Sequence, residues 1–333
     1  MTPTTHYRTL WRLAILAALI AAYCAPLFVG LYSASLVRDA MLIGLMALGL
    51  DFLWGKTGIL SFGHATFFGA GAYGAAIIST QLGLNPAAGA WIGLAGGVIL
   101  AALVALVVGY FLIFGGVRGS YFTIVTLALG VISQHVILTW SNVTGGDSGL
   151  LGIPPLLFPT AHGMRALGPL AQYWFLISVV IATTAAVWLI CRGRYGSLLS
   201  AIEDDERRAQ ALGFNTSAHL LIVFVGSAAI AGLGGALYAS AVGVVATDSI
   251  NLVLSTQAII FVAIGGRGTL VGPVCAAVAV IWFEQQVSSI NVQLWPLLMG
   301  ALFILTVFLL PEGVLKGAET LFARLTRQKG EQK

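Results

Sequence analysis

The sequence predicts an all-α integral membrane protein with eight to ten transmembrane helices, most consistent with ten, and two features carry that prediction. Of the 333 residues, 59% are hydrophobic and only 8% are charged, whereas soluble domains carry about 25% charged residues. The few charges are also clustered, which leaves uncharged runs such as 57–117 and 209–247. Each run exceeds the roughly 20 apolar residues that cross the hydrocarbon core of a bilayer. Lipid is therefore the expected surrounding of most of the chain.

The apolar runs break at Gly, Pro and polar residues into ten predicted spans. In chain order, these spans lie near residues 13–32, 36–54, 59–80, 89–115, 119–140, 173–191, 219–245, 250–265, 270–287 and 294–311. The turn sequence QLGLNP at 81–86 divides the longest run into two of them. Arg8 and Arg12 precede the first span as in a signal peptide, but no A-x-A cleavage site follows, so this span is expected to be retained.

The basic residues predict the orientation, because Lys and Arg remain on the cytoplasmic side of short loops. With both ends of the chain in the cytoplasm, fourteen of the sixteen basic residues are cytoplasmic, and only Arg38 and Arg165 are external. The same count favours two spans rather than one in 250–287, divided at GGRGTLVGP (265–273).

One membrane domain is expected over 13–315, between a cytoplasmic N-terminus at 1–12 and a basic cytoplasmic tail at 316–333. An external loop with four prolines covers 141–172, and a charged cytoplasmic loop covers 192–217.

Glycine placement predicts both close helix packing and a broken helix. Gly89, Gly93 and Gly97 form a GxxxGxxxG stripe, which lets helix backbones approach closely in lipid. The segment 55–76 holds six glycines within one nominal span. Because a non-helical backbone at membrane depth must be covered by protein or line a cavity, this segment is a candidate for a discontinuous helix or for the wall of a path.

The sequence offers no catalytic, metal or cofactor site. Gly55-Lys56-Thr57 resembles the end of a phosphate-binding loop, but five residues separate it from Gly49 where the motif has four, and it joins two apolar spans. The three cysteines form no C-x-x-C pair, and the five histidines have no HExxH context. A net charge of +4 without a basic stripe argues against nucleic acid. His64 and His135 lie within spans, where a polar side chain is costly.

The cytoplasmic loop 192–217 differs from the rest of the chain, since it holds eight of the twenty-eight formal charges. Its pattern predicts one amphipathic helix that Ser197 or Ser200 starts and Gly213 ends. Four residues share the apolar face of this helix: Leu198, Ile202, Ala209 and Leu212. A helix with such a face on a connection between spans needs a partner to cover it.

Several blocks of the sequence resemble the LivM-type permease subunits of branched-chain amino-acid ABC importers. They are LALGLDFLWGKTGILSFGHATFFGAGAY, RGSYFTIVTLALG at 118–130, TGGDSGLLGIP at 144–154, the stretch 196–215, and GGALYA with GGRGTLVGPV. The resemblance implies an ABC importer permease bundle with broken Gly-rich helices in the bacterial cytoplasmic (inner) membrane. It also implies a second, LivH-like permease, two cytoplasmic ABC ATPases and a substrate-binding protein as partners, and no enzymatic activity in this chain.

By the same resemblance, the stretch from Ala201 to Gly213 corresponds to the coupling helix that binds the ATPase. Its expected contacts are polar at Glu203, Asp204, Glu206 and Arg207 and apolar at Ile202, Ala209 and Leu212. A wide, weakly polar path is expected at Ser61, His64, Thr123 and Thr126.

Three alternatives remain open from the sequence. The same architecture also fits an importer of urea or short-chain amides. A channel or secondary transporter that works alone would need ionisable groups within the membrane, and the spans hold almost none. A membrane-embedded enzyme would need a clustered acid, base or nucleophile.

Overall fold

The computed structural model of the protein describes Tyr23, Pro26 and residues 30–160, 163–291 and 293–309. Within these residues the helices are α1 Leu31–Thr57, α2 His64–Gln81, α3 Pro86–Phe114, α4 Ser120–Thr139, α5 Ser141–Thr144, α6 Pro169–Arg192, α7 Arg194–Asp204, α8 Glu206–Ala211, α9 Thr216–Val242, α10 Leu252–Gly265, α11 Val271–Ile290 and α12 Leu294–Leu309. The expected terminal segments 1–12 and 316–333, and most of the first predicted span, lie outside the described residues.

The described chain is a helical membrane bundle, as the sequence predicts. Five of its helices, α3, α4, α6, α9 and α11, are long and apolar enough to cross a bilayer. From the fourth predicted span onward, helix bounds differ from the predicted bounds by a few residues. Residues 250–287 divide at 266–270 into two helices, α10 and α11, of which α11 has spanning length.

Successive membrane helices alternate in direction, so the connections gather at two ends. At one end, here named the charged end, the connections 115–119, 193–215 and 266–270 meet through ion pairs. At the opposite end, the Trp91 indole N–H donates to the carbonyl of Leu157 (2.9 Å), and Gln285 donates to the Tyr32 hydroxyl (2.8 Å).

Helix α9 forms the centre of the bundle and packs against α1, α2 and α3. Small residues make this possible, as the glycine pattern predicts. A Cβ at Gly235 would overlap the carbonyl oxygen of Phe68 in α2, and a Cβ at Gly71 would overlap that of Gly232 in α9. The backbones of α2 and α9 are therefore in direct contact.

Four short strands lie at the opposite end, where the sequence predicts none. β2 (Leu157–Thr160) and β3 (Gly163–Ala166) form an antiparallel hairpin. β1 (Leu150–Leu151) pairs with β4 (Val244–Val245), which follows α9. Each pairing provides hydrogen-bond partners for backbone groups of a loop that covers helix ends. Strands of two to four residues are too short to show an alternating apolar and polar pattern in the sequence.

Candidate functional site

The charged loop 192–217 folds as two helices, α7 and α8, rather than the single helix that the sequence predicts. The backbone of Asp205 is extended (φ −158°, ψ 98°), and its carboxylate accepts a hydrogen bond from the N–H of Arg208 (3.0 Å). Because an Asp in this position caps the next helix, Asp205 ends α7 and starts α8. α7 also begins earlier than expected, at Arg194 after Gly193, so neither Ser197 nor Ser200 is its cap.

The apolar residues of the two helices divide between the bundle and the solvent. Leu199, Ile202 and Ala209 are buried and join the hydrophobic core of the chain. Leu212 lies beyond the end of α8 and is 73% exposed. The break at Asp205 separates Leu212 from the buried side where Ile202 and Ala209 lie. The prediction that Leu212 shares one apolar face with these residues is therefore wrong. The bundle itself covers most of the hydrophobic surface of α7 and α8.

Glu206, at the start of α8, binds Arg118 in the connection between α3 and α4. Both carboxylate oxygens accept from the guanidinium, from Nε at 3.0 Å and from Nη2 at 2.9 Å. The hydroxyl of Thr216 also donates to this carboxylate (3.1 Å). The hydrogen bonds from Arg118 hold the pKa of Glu206 below its ordinary value, since they favour the charged form.

Glu203, near the end of α7, pairs with Arg267 in the turn between α10 and α11. Arg267 Nε donates to the carbonyl of Trp54 (3.1 Å), and its guanidinium lies over the Trp54 ring, 5.5 Å from the centroid. The fully buried carboxylate of Asp51 accepts from the amide N–H groups of Gly268 (2.6 Å) and Leu270 (2.8 Å). This turn is thus fixed to both α1 and α7.

Several of the predicted coupling residues face away from the bundle. Glu203 is exposed but pairs with Arg267. The other exposed residues among them are Ala201, Asp204, Arg207, Leu212 and Gly213. Gly213 has a left-handed backbone (φ 90°), which suits its place after the end of α8. Together these residues, named the outer surface of α7–α8, form a mixed polar and apolar patch at the charged end.

The predicted path residues lie at a break in the membrane helices. Residues 58–63 are not helical, and α2 begins at His64, beside Gly49 of α1. Gly49 precedes the end of α1 by eight residues, which is roughly 12 Å along a helix axis. The chain therefore turns back into the bundle as irregular backbone, as the glycine-rich pattern of 55–76 indicates.

Helix α4 covers this irregular segment with two threonines. The Thr126 hydroxyl accepts from the N–H of Phe62 (3.1 Å), and the Thr123 hydroxyl donates to the carbonyl of Leu60 (3.3 Å). Ser61, His64 and Thr126 are fully buried, whereas Thr123 is half-buried. The structure thus brings all four predicted path residues together, three of them fully buried within this chain and Thr123 at the edge.

Two serines that sequence reasoning missed complete this region. The Ser255 hydroxyl accepts from the N–H of Ala65 (3.0 Å), and the Ser227 hydroxyl donates to the carbonyl of Gly49 (2.7 Å). The Ser61 hydroxyl and His64 Nδ1 have no hydrogen-bond partner in the described residues. α10, which carries Ser255, spans only about 21 Å and begins within the bundle, next to the start of α2. A lone serine in an apolar helix gives no signal of such a contact.

Metal binding finds no support in the described residues, where no three His, Cys, Asp or Glu side chains lie close enough to hold an ion.

Comparison of the sequence with known proteins places the chain among transport permeases. A family profile described as "Branched-chain amino acid transport system / permease component" matches residues 31–307. The high-affinity branched-chain amino acid transport system permease protein LivM of Salmonella typhimurium is 29% identical over 326 residues, which cover 91% of this chain and 75% of the relative. LivM of Escherichia coli K12 is 27% identical with the same coverage.

More distant relatives match as well. LivH of Salmonella typhimurium, a permease protein of the same named system, is 24% identical and covers 81% of this chain and 90% of the relative. The autoinducer 2 import system permease protein LsrC of Escherichia coli is 27% identical, covering 69% and 66%. No solved structure matches the chain significantly.

Proposed function

Because the chain belongs to the family of branched-chain amino-acid transport permease components, we propose that it forms half of the membrane path of an ATP-driven importer of branched-chain amino acids. It is a multi-pass inner-membrane permease and not an enzyme, so ATP hydrolysis is the task of partner subunits. The family match over residues 31–307 carries this proposal, and the outer surface of α7–α8 supplies the place where an ATPase acts.

The outer surface of α7–α8 fits a coupling role because its residues are free to contact another protein. Asp204 and Arg207 are exposed, and Leu212 is 73% exposed next to them. Ile202 and Ala209 hold the two helices on the bundle from beneath. A partner that pushes on the exposed side therefore moves α7 and α8 against the membrane helices.

The proposed topology has ten spans with both termini in the cytoplasm. The distribution of basic residues in the fold supports it. Seven basic residues lie at the charged end: Lys56, Arg118, Arg192, Arg194, Arg207, Arg208 and Arg267. Arg38 and Arg165 lie at the opposite end. Under the positive-inside rule, the charged end faces the cytoplasm, where the ATPases bind.

The remaining partners follow from this orientation. A second, LivH-like permease completes the path, as the similarity of this chain to both LivM and LivH supports. A substrate-binding protein docks at the opposite end, where the loop 141–172 carries the β2–β3 hairpin. The weakly polar region of Ser61, His64, Thr123 and Thr126 lies along the path, and selectivity resides largely in the binding protein.

ATP hydrolysis by the purified complex tests the proposal. The complex is isolated through a tag on this chain after expression with its neighbouring genes, and loaded binding protein is added. Stimulation by the leucine-loaded protein, but not by the urea-loaded or amide-loaded protein, is the expected result. Stimulation only by the urea-loaded or amide-loaded protein would mean that the substrate is urea or an amide. Uptake by this chain without any ATPase would contradict the ABC mechanism.

Two variants locate the ATPase contact. Arg207→Glu reverses a charge on the outer surface of α7–α8 and is expected to reduce both ATPase co-purification and uptake. Arg194→Glu reverses another exposed charge at the start of α7, outside the proposed contact, and serves as the matched control. Equal uptake by the two variants would mean that the outer surface of α7–α8 is not the ATPase contact.

A further inference from the structure

Two arginines outside α7 and α8 connect these helices to the rest of the bundle. Arg118 is two residues before α4, and Arg267 is four residues before α11. Each binds a glutamate on a different side of the break at Asp205, since Glu203 is in α7 and Glu206 is in α8. The described residues contain no other ion pair between this segment and a membrane-helix connection.

Arg118 joins three elements at once. Besides its two hydrogen bonds to Glu206, its Nη1 donates to the carbonyls of Ile113 (3.0 Å) and Val117 (3.1 Å), at the end of α3. Gly119 then turns the chain with a left-handed φ of 58°, and α4 follows directly. A displacement of α8 therefore acts on the first turn of α4 through a bidentate ion pair, which is geometrically specific.

Arg267 makes the equivalent connection on the other side. It binds Glu203 while its Nε donates to the carbonyl of Trp54 (3.1 Å). The next residues of the turn are fixed by Asp51, and Leu270 adopts a left-handed φ of 64°, unusual for a residue with a branched side chain. This turn is rigid, so a displacement of α7 acts on α10 and α11 together.

We propose that Arg118 and Arg267 are positioning residues that transmit movement of α7 and α8 to α4 and to α10–α11. α4 and α10 contact the buried polar region around Ser61 and His64. The inference rests on the proposed function, since it needs an ATPase to move α7 and α8. It assigns Glu203 and Glu206 to contacts within this chain, and leaves Asp204, Arg207 and Leu212 for the ATPase.

The test is the amount of substrate transported for each ATP hydrolysed by the complete complex in proteoliposomes. Arg118→Ala is expected to retain the ATPase subunits and stimulated hydrolysis but to transport about five- to tenfold less substrate per ATP, the lower end of coupling between distant sites. Arg118→Lys, which keeps the charge without the bidentate fork, is expected to lie between. Arg194→Ala, an exposed arginine without an ion pair in the described residues, is the control.

A double-mutant cycle tests whether Arg118 and Glu206 act as a pair. Glu206→Gln alone is expected to reproduce the loss of Arg118→Ala, and the double variant is expected to lose no more than either. Glu206→Gln also supplies the measurement if Arg118→Ala does not accumulate. An unchanged ratio of transport to hydrolysis in both single variants, or losses that multiply in the double variant, would overturn the inference. Absence of ATP-driven transport in the unmodified complex would instead overturn the proposed function.

Discussion

Helices α9 and α4 are both apolar and of spanning length, yet the bundle holds them in opposite ways. Of the 18 most apolar consecutive residues in each helix, 61% are buried in α9 and only 22% in α4. α9 meets α2 through direct backbone contact at Gly235 and Gly71. α4 has one such contact, where Gly63 meets the carbonyl of Thr126. It is otherwise held by the buried Phe122, by the hydrogen bonds of Thr126 and Thr123, and by Arg118 at its start.

The difference separates a closely packed group of helices, α9 with α1–α3, from a more loosely held helix, α4. Backbone contacts across glycines allow no sliding without loss of close packing, so α9 with α1–α3 forms a rigid unit. A few hydrogen bonds can be exchanged at modest cost, since each contributes about 1 kcal/mol net. α4, which covers the buried polar region, is therefore held less firmly than α9.

Gly235→Ala is expected to give the largest effect, because the added methyl group overlaps the carbonyl of Phe68. Separating α9 from α2 should destabilise the chain by about 3 kcal/mol or more, at the upper end of overpacking. The detergent-solubilised protein should lose its monodisperse elution peak. Gly226→Ala is the matched control in α9, since its methyl group would lie 3.7 Å from Phe52, an ordinary contact. Equal tolerance of both variants would contradict the rigid unit.

Thr126→Val is expected to have an intermediate effect. The variant keeps the shape of the side chain but leaves the N–H of Phe62 without its acceptor, which costs about 1–3 kcal/mol when buried. Thermal unfolding of the purified chain measures the loss. Thr123→Val is the control, because its hydroxyl is half-buried and its bond to Leu60 is longer, at 3.3 Å. A greater loss of thermal stability in Thr123→Val would mean that Thr123, rather than Thr126, makes the stronger hydrogen bond between α4 and the irregular segment.

His135→Leu is expected to leave the stability of the isolated chain within about 0.5 kcal/mol, as exposed substitutions do. His135 lies on the exposed side of α4, and a polar ring at membrane depth is expected to face protein or water rather than lipid. Transport by the complete complex should therefore fall although the chain itself is unaffected. Matching Ile99→Ala on the exposed, apolar side of α3 should change neither quantity.

The smallest effect concerns pH. The pKa of Glu206 is lowered from its ordinary value of 4.5 by the hydrogen bonds from Arg118. A lowered pKa means that the stabilisation is complete above the unfolded pKa and is lost as pH falls through the folded pKa. The difference between the unmodified chain and Glu206→Gln should thus be constant from pH 8 to about 5 and shrink only below 4.5. Thermal melts across this range measure the difference in stability. A change in that difference near neutral pH would contradict the assignment.

Sequence periodicity predicted the elements that depend on apolar length. The helices from α3 onward follow the uncharged runs, and the glycine stripe of α3 indicated its close packing, which is against α2. The break at Asp205 was missed because an Asp within a charged run reads equally well as a solvated helix residue. Its capping role depends on the extended backbone that tertiary contacts impose.

The candidate site was predictable in composition but not in its pairings. Glycine density located the broken segment before α2, and the charged loop located α7 and α8. The partners of Glu203 and Glu206 lie 64 and 88 residues away in sequence, and a single sequence contains no signal that joins them. Ser227 and Ser255 were missed for the same reason, since their hydrogen bonds form only between packed helices.

The central position of α9 also constrains the order of biosynthesis. α1, α2 and α3 are complete at Phe114, but the helix that fills the space between them begins at Thr216. At about 5–20 residues per second, the ribosome needs roughly 5–20 s to make the intervening chain. During that interval the faces of α2 and α3 that α9 covers, around Gly71 and Ala101, lack their neighbour and contact lipid or an insertase until α9 arrives.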